Sequence, residues 1–211
     1  YVTSYVDNRI SGHRVEFTYS MTRSEIEAKN RQLEDSLFTM AKKIGRIDAS
    51  YETVKAVYEY LINNSSYEEL NLDQSMCSVM LEGGGVCASF AKAFEFIMQC
   101  MNIPCTVVYG RLTQSSGMLS TALGHEWNLV RLGSSWYHVD VTSGLNVTKQ
   151  SGDMDYRFLC ASTDDILKTH IVDNPVELPS CTDTSLNFFT YYGLTVDTYS
   201  RGAVAACMLK S

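Results

Sequence analysis

The chain has 211 residues, of which 45% are hydrophobic and 19% are charged, and its formal net charge at pH 7 is −7. This length and composition predict a globular protein with one substantial core, which we interpret as a single domain over residues 1–211. The acidic balance, without a block of lysines and arginines, argues against a nucleic-acid surface, because such a surface needs clustered positive charge. No apolar run approaches the roughly 18 residues of a membrane span, so we expect none in this segment.

The N-terminal quarter predicts a strand followed by a helix. In HRVEFTYS the apolar residues alternate with polar ones, which predicts a strand over 13–20. Thr22 and Glu25 then have the spacing of a capping box, which is typical of a helix N-terminus. Apolar residues at helical spacing continue this helix up to Gly45.

Two further helices are predicted in the first half of the chain. One begins near Ser50 with an apolar stripe, and the polar sequence NNSS at 63–66 closes it. The segment 65–85 is polar and irregular and ends in three glycines. Directly after them, EGGGVCASFAKAFEFIMQC predicts a helix over about 86–101.

The second half of the chain is mostly predicted as strands and turns. CTVVYGRL after Pro104 and YRFLCAS at 156–162 each predict one strand. HEWNLVRLGSSWYHVDVT predicts two strands about a turn at Gly133-Ser134. Residues 113–124 are rich in serine, threonine and glycine and predict an exposed loop that leads into this hairpin.

This order of elements favours an α+β fold, because helices come first and strands later instead of alternating. Within residues 1–211 we place the core motifs at about 50–161. Residues 1–49 form an N-terminal strand–helix extension, and residues 162–211 form a turn-rich C-terminal segment.

Cys87 lies at the start of the predicted helix and at the end of its apolar face. The other members of that face are Phe90, Ala91, Phe94, Ile97, Met98 and Met101. Unpaired backbone N–H groups and the positive end of the helix dipole favour a thiolate at a helix N-terminus. The alternative is a small core cysteine behind a flexible turn. The chain has seven cysteines, so at least one thiol has no disulfide partner within the monomer.

The hairpin around Gly133-Ser134 decides whether His125 and Asp140 can meet. If these two residues form the turn, Trp127 lies opposite Asp140, and His125 shares their face of the sheet. His125 and Asp140 are then diagonal neighbours, roughly 7–8 Å apart, which allows the imidazole to reach the carboxylate. A three-residue loop would place the two side chains on opposite faces.

A thiol nucleophile, a histidine base and a carboxylate that orients the histidine are the groups of thiol catalysis. We therefore predict Cys87, His125 and Asp140 as a catalytic triad. His138 shares the same face in this register and is a rival base. It stands two residues from Asp140 on one strand, where side chains project in parallel, so we predict a structural or supporting role for His138.

Two stretches of the chain resemble the core of the transglutaminase-like superfamily of bacterial proteins. They are GGGVCASFAKAFEFIMQCMNIPCTVVYGR and GHEWNLVRLGSSWYHVDVT, with the motifs G-V-C-x-x-F-A, I-P-C, H-x-W-N and W-Y-x-V-D-x-T. The resemblance covers about residues 50–161. It implies a papain-like α+β fold, in which the helix that bears Cys87 packs against an antiparallel sheet that carries His125 and Asp140.

The resemblance also implies an activity and a role for each triad residue. The chain is expected to be a thiol enzyme that acts on peptide or protein amides, as an acyltransferase, a peptidase or a deamidase. Cys87 would be the nucleophile, His125 the base and acid, and Asp140 the orienting carboxylate. We expect a peptide or protein substrate, and neither a metal nor another cofactor.

The predicted substrate-binding residues lie around this triad. The oxyanion of the reaction needs hydrogen-bond donors, for which we predict the backbone N–H of Cys87 and the side chain of Gln74. Trp127 and Trp136 share the face of the triad and are predicted to line the cleft. Core packing around the hairpin is the alternative for both tryptophans.

The alternative function is a catalytically idle transglutaminase-like module that serves as a binding or scaffold domain on the bacterial cell surface. The flanks YVDNRISGHRVEFTYS and YRFLCASTDDILKTH resemble the surroundings of this core in cell-surface proteins of Gram-positive bacteria. This implies a secreted, extracellular or cell-surface location. A calcium-dependent transglutaminase is disfavoured, because we find no acidic loop with the spacing of calcium ligands.

Overall fold

A computed structural model describes residues 2–6, 9–14, 21–69, 73–113, 124–173, 175, 178–196 and 200–209. The chain separates into two compact units, Tyr1–Asp35 and Ser36–Ser211. Most of the strand predicted at 13–20 lies outside the described residues, as does most of the loop predicted at 113–124. Among the described residues, no helix combines the length and the apolar character that a membrane crossing requires.

The first unit contains an antiparallel hairpin and the start of a long helix. The hairpin pairs β1 (Val2–Val6) with β2 (Arg9–Arg14). Helix α1 (Arg23–Ile44) begins at the predicted capping box. The Thr22 backbone N–H donates to a carboxylate oxygen of Glu25 at 2.7 Å, and the Glu25 N–H donates back to Oγ1 of Thr22 at 3.4 Å.

The helices of the second unit follow the predicted apolar stripes. Helix α2 (Tyr51–Asn64) begins after Ser50, whose hydroxyl accepts the Thr53 N–H at 3.3 Å. A two-stranded parallel pair of β3 (Ser66–Tyr67) and β4 (Gly84–Gly85) leads to helix α3 (Cys87–Cys100). A π-helical turn, Ser78–Glu82, precedes β4. The buried residues of α3 include Phe90, Ala91, Phe94, Ile97 and Met98, as predicted.

A four-stranded antiparallel sheet carries the other half of the core. Its strands are β5 (Cys105–Leu112), β6 (Gly124–Leu132), β7 (Ser135–Val139) and β8 (His170–Val172). They lie in the order β7-β6-β5-β8. Leu132 faces Ser135 across a two-residue turn, so the hairpin has the predicted register. Helix α3 packs on β6 and β5, and the Asn128 side-chain amide joins them by donating to the Ala91 carbonyl at 2.9 Å. The predicted α+β fold, with a helix on an antiparallel sheet, is therefore confirmed.

Three predicted details of the second half differ from the structure. Strand β7 ends at Val139, and helix α4 (Val141–Ser151) follows, so the hairpin strand does not continue to position 142. The strand predicted at 156–162 is wrong, because this segment turns and Cys160 adopts a left-handed φ of 50°. Only Ala161 makes a strand-like bridge there, to His138. Strand β8 was not predicted.

Three short helices complete the described residues. They are α5 (Thr163–Ile166), α6 (Phe188–Tyr191) and α7 (Arg201–Met208). Helices α2 and α4 approach closely at Gly144, where an added Cβ would overlap the hydroxyl of Tyr58. That buried hydroxyl donates to the Asp155 carbonyl at 2.7 Å. The glycine therefore makes room for a buried hydrogen bond that links α2 to the segment after α4.

We predict that Gly144→Ala lowers the free energy of unfolding by about 1–3 kcal/mol, because the new methyl group displaces the Tyr58 hydroxyl. Urea denaturation of the two proteins measures this. Gly202→Ala is the matched control, since an added Cβ in α7 meets no atom within 4 Å. An unfolding free energy for Gly144→Ala at or above that of the control would contradict the prediction.

Candidate active site

Asp140 lies at the point where β7 ends and α4 begins, and its side chain is 1% exposed. As the residue that caps α4, it accepts the Ser143 backbone N–H on Oδ1 at 3.0 Å. Its own backbone N–H donates to the Phe158 carbonyl at 3.0 Å. These two backbone hydrogen bonds fix the position of Asp140 independently of the histidine side chains.

His125 reaches this carboxylate from the adjacent strand, as the predicted register requires. Its Nε2 lies 2.8 Å from Asp140 Oδ2, and the ring is 5% exposed. The side chain of Cys87, at the first position of α3, interacts with the same ring and lines the same cavity. Since Nε2 faces Asp140, Nδ1 is the ring nitrogen left for Cys87. The structure therefore brings the three predicted triad residues together.

The environment of the His125–Asp140 pair favours the charged form of both groups. Burial works against the charged imidazole, but the charge and hydrogen bond of Asp140, together with Cys87, raise the pKa of His125 well above its usual value. Burial likewise opposes the charged carboxylate, but the charge of His125 and hydrogen bonds from His125 and His170 hold the pKa of Asp140 well below its usual range. The pair can therefore hold a proton on the imidazole next to the thiol.

A cavity of about 450 Å³ opens over Cys87 and His125. Its other described lining residues are Tyr67, Glu69, Gln74, Val86, Ala88, Tyr109, Gly110, Gly124, Glu126 and Asp173. Cys87 is partly exposed, so a substrate carbonyl in this cavity can reach the sulfur. Gln74, the predicted oxyanion donor, lines the same cavity as Cys87. The loop that carries Gln74 is tied to α3, because the Lys92 ammonium donates to the Gln74 carbonyl at 3.0 Å.

Of the two tryptophans predicted to bind substrate, Trp127 is buried and Trp136 is partly buried. Trp127 is 1% exposed and stacks against His125 with ring centroids 5.8 Å apart. Trp136 packs against the buried cluster that contains Trp127. Neither tryptophan is among the described residues that line the cavity. Their contact with substrate stays a prediction, and their placement supports the alternative role in packing.

His138 accepts a hydrogen bond from Trp127. The indole N–H of Trp127 donates to Nδ1 of His138 at 3.0 Å, so the other ring nitrogen of a neutral His138 carries the proton. Burial and the nearby His170 lower the pKa of His138 to about 4, so this ring is neutral at pH 7. A neutral histidine that packs under the site fits the predicted supporting role.

His170 is a second histidine beside Asp140, and the sequence did not indicate it. It begins β8, is 1% exposed, and its Nε2 lies 2.9 Å from Asp140 Oδ2. A strand of three residues is too short to show the alternation of apolar and polar residues from which strands are predicted. No motif marks this histidine, and only its pairing with β5 brings it to the carboxylate.

The family model of the transglutaminase-like superfamily matches residues 39–141, and this confirms the resemblance seen in the sequence. No curated protein is similar enough to count as a match.

Three solved structures are similar to part of the chain. A transglutaminase structure is 15% identical with a TM-score of 0.46, and covers 58% of this chain and 34% of its own. A proposed cysteine protease from Cytophaga hutchinsonii is 21% identical with a TM-score of 0.45, and covers 58% and 43%. The periplasmic domain of TgpA from Pseudomonas aeruginosa, bound to ethylmercury, is 18% identical with a TM-score of 0.39, and covers 56% and 49%. The chain thus spans less than half of each of these proteins.

We predict that replacing Asp140 by Asn lowers the pKa of His125 at least to the ordinary value of about 6.5. The charge that raises this pKa is lost while the burial that lowers it remains. Histidine ring resonances followed by NMR across pH measure the change. Asp183→Asn is the control, because that half-buried carboxylate accepts a hydrogen bond from the Tyr137 hydroxyl at 2.6 Å, away from Asp140. An unchanged His125 titration in Asp140→Asn would refute the prediction.

The same shift sets the sign of a stability effect. Because the folded-state pKa of His125 is raised, its protonation stabilises the fold fully below about pH 6.5, and this contribution is lost as pH rises through the raised pKa. The lowered pKa of Asp140 adds stability above about pH 3.9 that is lost on acidification. Between these limits the unfolding free energy of the wild type should exceed that of Asp140→Asn by its largest margin.

Proposed function

We propose that this chain, whose residues 39–141 match the family model of the transglutaminase-like superfamily, is a thiol enzyme that acts on peptide or protein amide bonds. The observation that carries the proposal is one arrangement of three side chains. A partly exposed cysteine at a helix N-terminus lies against a histidine that a buried carboxylate keeps charged. This arrangement supplies a nucleophile, a proton donor and an orienting group at a single cavity.

The proposed reaction begins with attack by the Cys87 thiolate on the carbonyl carbon of the amide. A carbon–sulfur bond forms and the carbonyl π electrons move to oxygen, which becomes an oxyanion. When the oxyanion collapses, the carbon–nitrogen bond breaks, and the leaving amine takes the proton from His125. The product is a thioester on Cys87.

The thioester is resolved by a second nucleophile. Water or an amine attacks the thioester carbonyl and gives its proton to His125, and the carbon–sulfur bond then breaks. The released thiolate again lies beside a protonated imidazole, which completes the cycle. Water gives hydrolysis, as in a peptidase or deamidase, and an amine gives transamidation.

Two groups are proposed to bind the oxyanion. The first position of α3 leaves the Cys87 backbone N–H free of helical partners, because the first turn of a helix has no preceding carbonyls to bind. Gln74, which lines the cavity together with Cys87, can supply a second donor. Donors that are fixed before reaction stabilise the developing charge without reorganisation.

We also propose an extracellular or cell-surface location in a bacterium. This rests on the resemblance of the flanking sequences to cell-surface proteins. All seven cysteines of the chain are free thiols in the structure, so no disulfide adds support for an oxidising compartment.

We predict that iodoacetamide at pH 6.5 alkylates Cys87 faster than Cys100, by at least about tenfold. Cys87 is partly exposed at the first position of α3 and lines the same cavity as His125, whose charged ring attracts the negative charge on the reacting sulfur. Cys100 is exposed at the other end of α3, where partial burial of the sulfur raises its pKa. Mass spectrometry of peptides after timed quenching measures both rates in one sample.

Activity on a peptide library, with and without an added primary amine, should vanish in Cys87→Ser and persist in Cys100→Ser. The two variants remove one thiol each from the same helix, so a general loss of folding would not separate them. Equal alkylation of the two cysteines, with no activity on any peptide, would favour the idle binding or scaffold module instead.

We predict that Gln74→Ala lowers kcat by roughly 10² with a smaller effect on KM, because an oxyanion donor acts in the transition state. Gln99→Ala is the control. Gln99 lines a neighbouring surface cavity together with Gln74, but it is not among the described residues around Cys87. Equal kcat values in the two variants would remove Gln74 from the mechanism.

A further inference from the structure

The carboxylate of Asp140 serves two imidazoles through one oxygen. Oδ2 lies 2.8 Å from Nε2 of His125 and 2.9 Å from Nε2 of His170. Oδ1 is occupied by the Ser143 backbone N–H at 3.0 Å. With all three donors in place, the carboxylate cannot rotate about its last side-chain bond without breaking a buried hydrogen bond.

His170 is itself fixed by backbone pairing, by a side-chain hydrogen bond and by contacts with two aromatic rings. Its backbone pairs with Leu112 of β5, and its Nδ1 lies 2.8 Å from the Thr169 hydroxyl. The ring meets the edge of Trp127 at 4.9 Å and of Phe158 at 5.8 Å between centroids. Gly110 permits this close packing, because a Cβ there would overlap the Ile171 carbonyl and stand 2.7 Å from Trp127.

The distances identify hydrogen bonds between these groups. An ionised carboxylate has no proton to give, so Nε2 of His170 is the donor to Asp140. His125, Asp140 and His170 also offer three metal-ligand atoms within 4.8 Å of one another. Ligands of a tetrahedral zinc ion, bound at about 2.0–2.1 Å, would stand about 3.4 Å apart. The nitrogen–oxygen separations of 2.8 and 2.9 Å fit shared protons better than a shared metal.

We propose that His170 is a positioning residue of this centre, which fixes Oδ2 of Asp140 so that His125 aims its Nδ1 at Cys87. The proposal rests on the proposed function, since His170 acts through His125 on the thiol. His170 bonds to the carboxylate and is not among the described residues that line the cavity. Its contribution is the direction of the imidazole, and hence the rate at fixed substrate binding.

Two polar substitutions of different reach test the proposal. In His170→Gln the amide nitrogen can take the place of Nε2 and donate to Asp140, whereas in His170→Asn it ends near Nδ1 and cannot. The alkylation rate of Cys87 at pH 6.5 should fall about tenfold in His170→Asn, the size typical of losing an outer-shell hydrogen bond, and return towards wild type in His170→Gln. On a peptide substrate, kcat should follow the same order with KM unchanged.

Tyr137→Phe is the control, because it also removes one side-chain donor from the same sheet, but that donor bonds to Asp183 at 2.6 Å and not to Asp140. It should keep the wild-type alkylation rate of Cys87. If His170→Asn does not fold, His170→Phe replaces it in the test. The phenyl ring is similar in volume to the imidazole but has no donor for Asp140.

Each other outcome has a distinct meaning. Equal rates in wild type, His170→Gln and His170→Asn, with Cys87 still faster than Cys100, overturn the role of His170 alone. Equal losses in both His170 variants overturn it too, because a packing role would not distinguish a donor. A wild-type Cys87 no faster than Cys100 overturns the proposed function and this inference with it. Stoichiometric zinc in the purified wild type that His170→Asn loses would replace positioning by metal binding.

Discussion

One buried negative charge organises the active-site half of this protein. Asp140 is almost fully enclosed, and a carboxylate in such a place is costly unless hydrogen bonds and opposite charge compensate it. Its compensation comes from three parts of the chain: the first turn of α4, His125 on β6 and His170 on β8. Misplacing any of these would remove one of the three buried hydrogen bonds to the charge, so the carboxylate favours the geometry around it.

The thiol of Cys87 belongs to helix α3, and packing of α3 on the sheet brings it close to the His125–Asp140 pair. Helix α3 lies on the sheet through its apolar face, and the amide of Asn128 ties its first turns to β6. The hydroxyl of Ser89 donates to the Asp73 carbonyl at 2.9 Å and fixes the loop in front of the helix. Sulfur, imidazole and carboxylate thus come from rigid elements, which is what precise positioning of reacting groups requires.

The sequence predicted the parts of this arrangement that local periodicity determines. The stripe of α3 gave the position of Cys87, and the Gly133-Ser134 turn fixed the face shared by His125 and Asp140, because strand side chains alternate. The role of Asp140 as the cap of α4 was missed, since VDVT alternates like a strand and local pattern cannot show where pairing stops. His170 was missed because β8 is short and its pairing with β5 is long-range. The strand wrongly predicted at 156–162 failed for a related reason: its apolar residues are buried, but in a turn.

The central claim is that an ionised Asp140 holds His125 and His170 through their Nε2–H groups. Long-range ¹H–¹⁵N correlation of the imidazole rings at pH 7 reports directly which nitrogen of each histidine carries a proton. We expect a proton on Nε2 of both rings, with both signals displaced in Asp140→Asn and that of His138 unmoved. A His170 protonated on Nδ1 alone, or a His170 signal indifferent to Asp140→Asn, would contradict it.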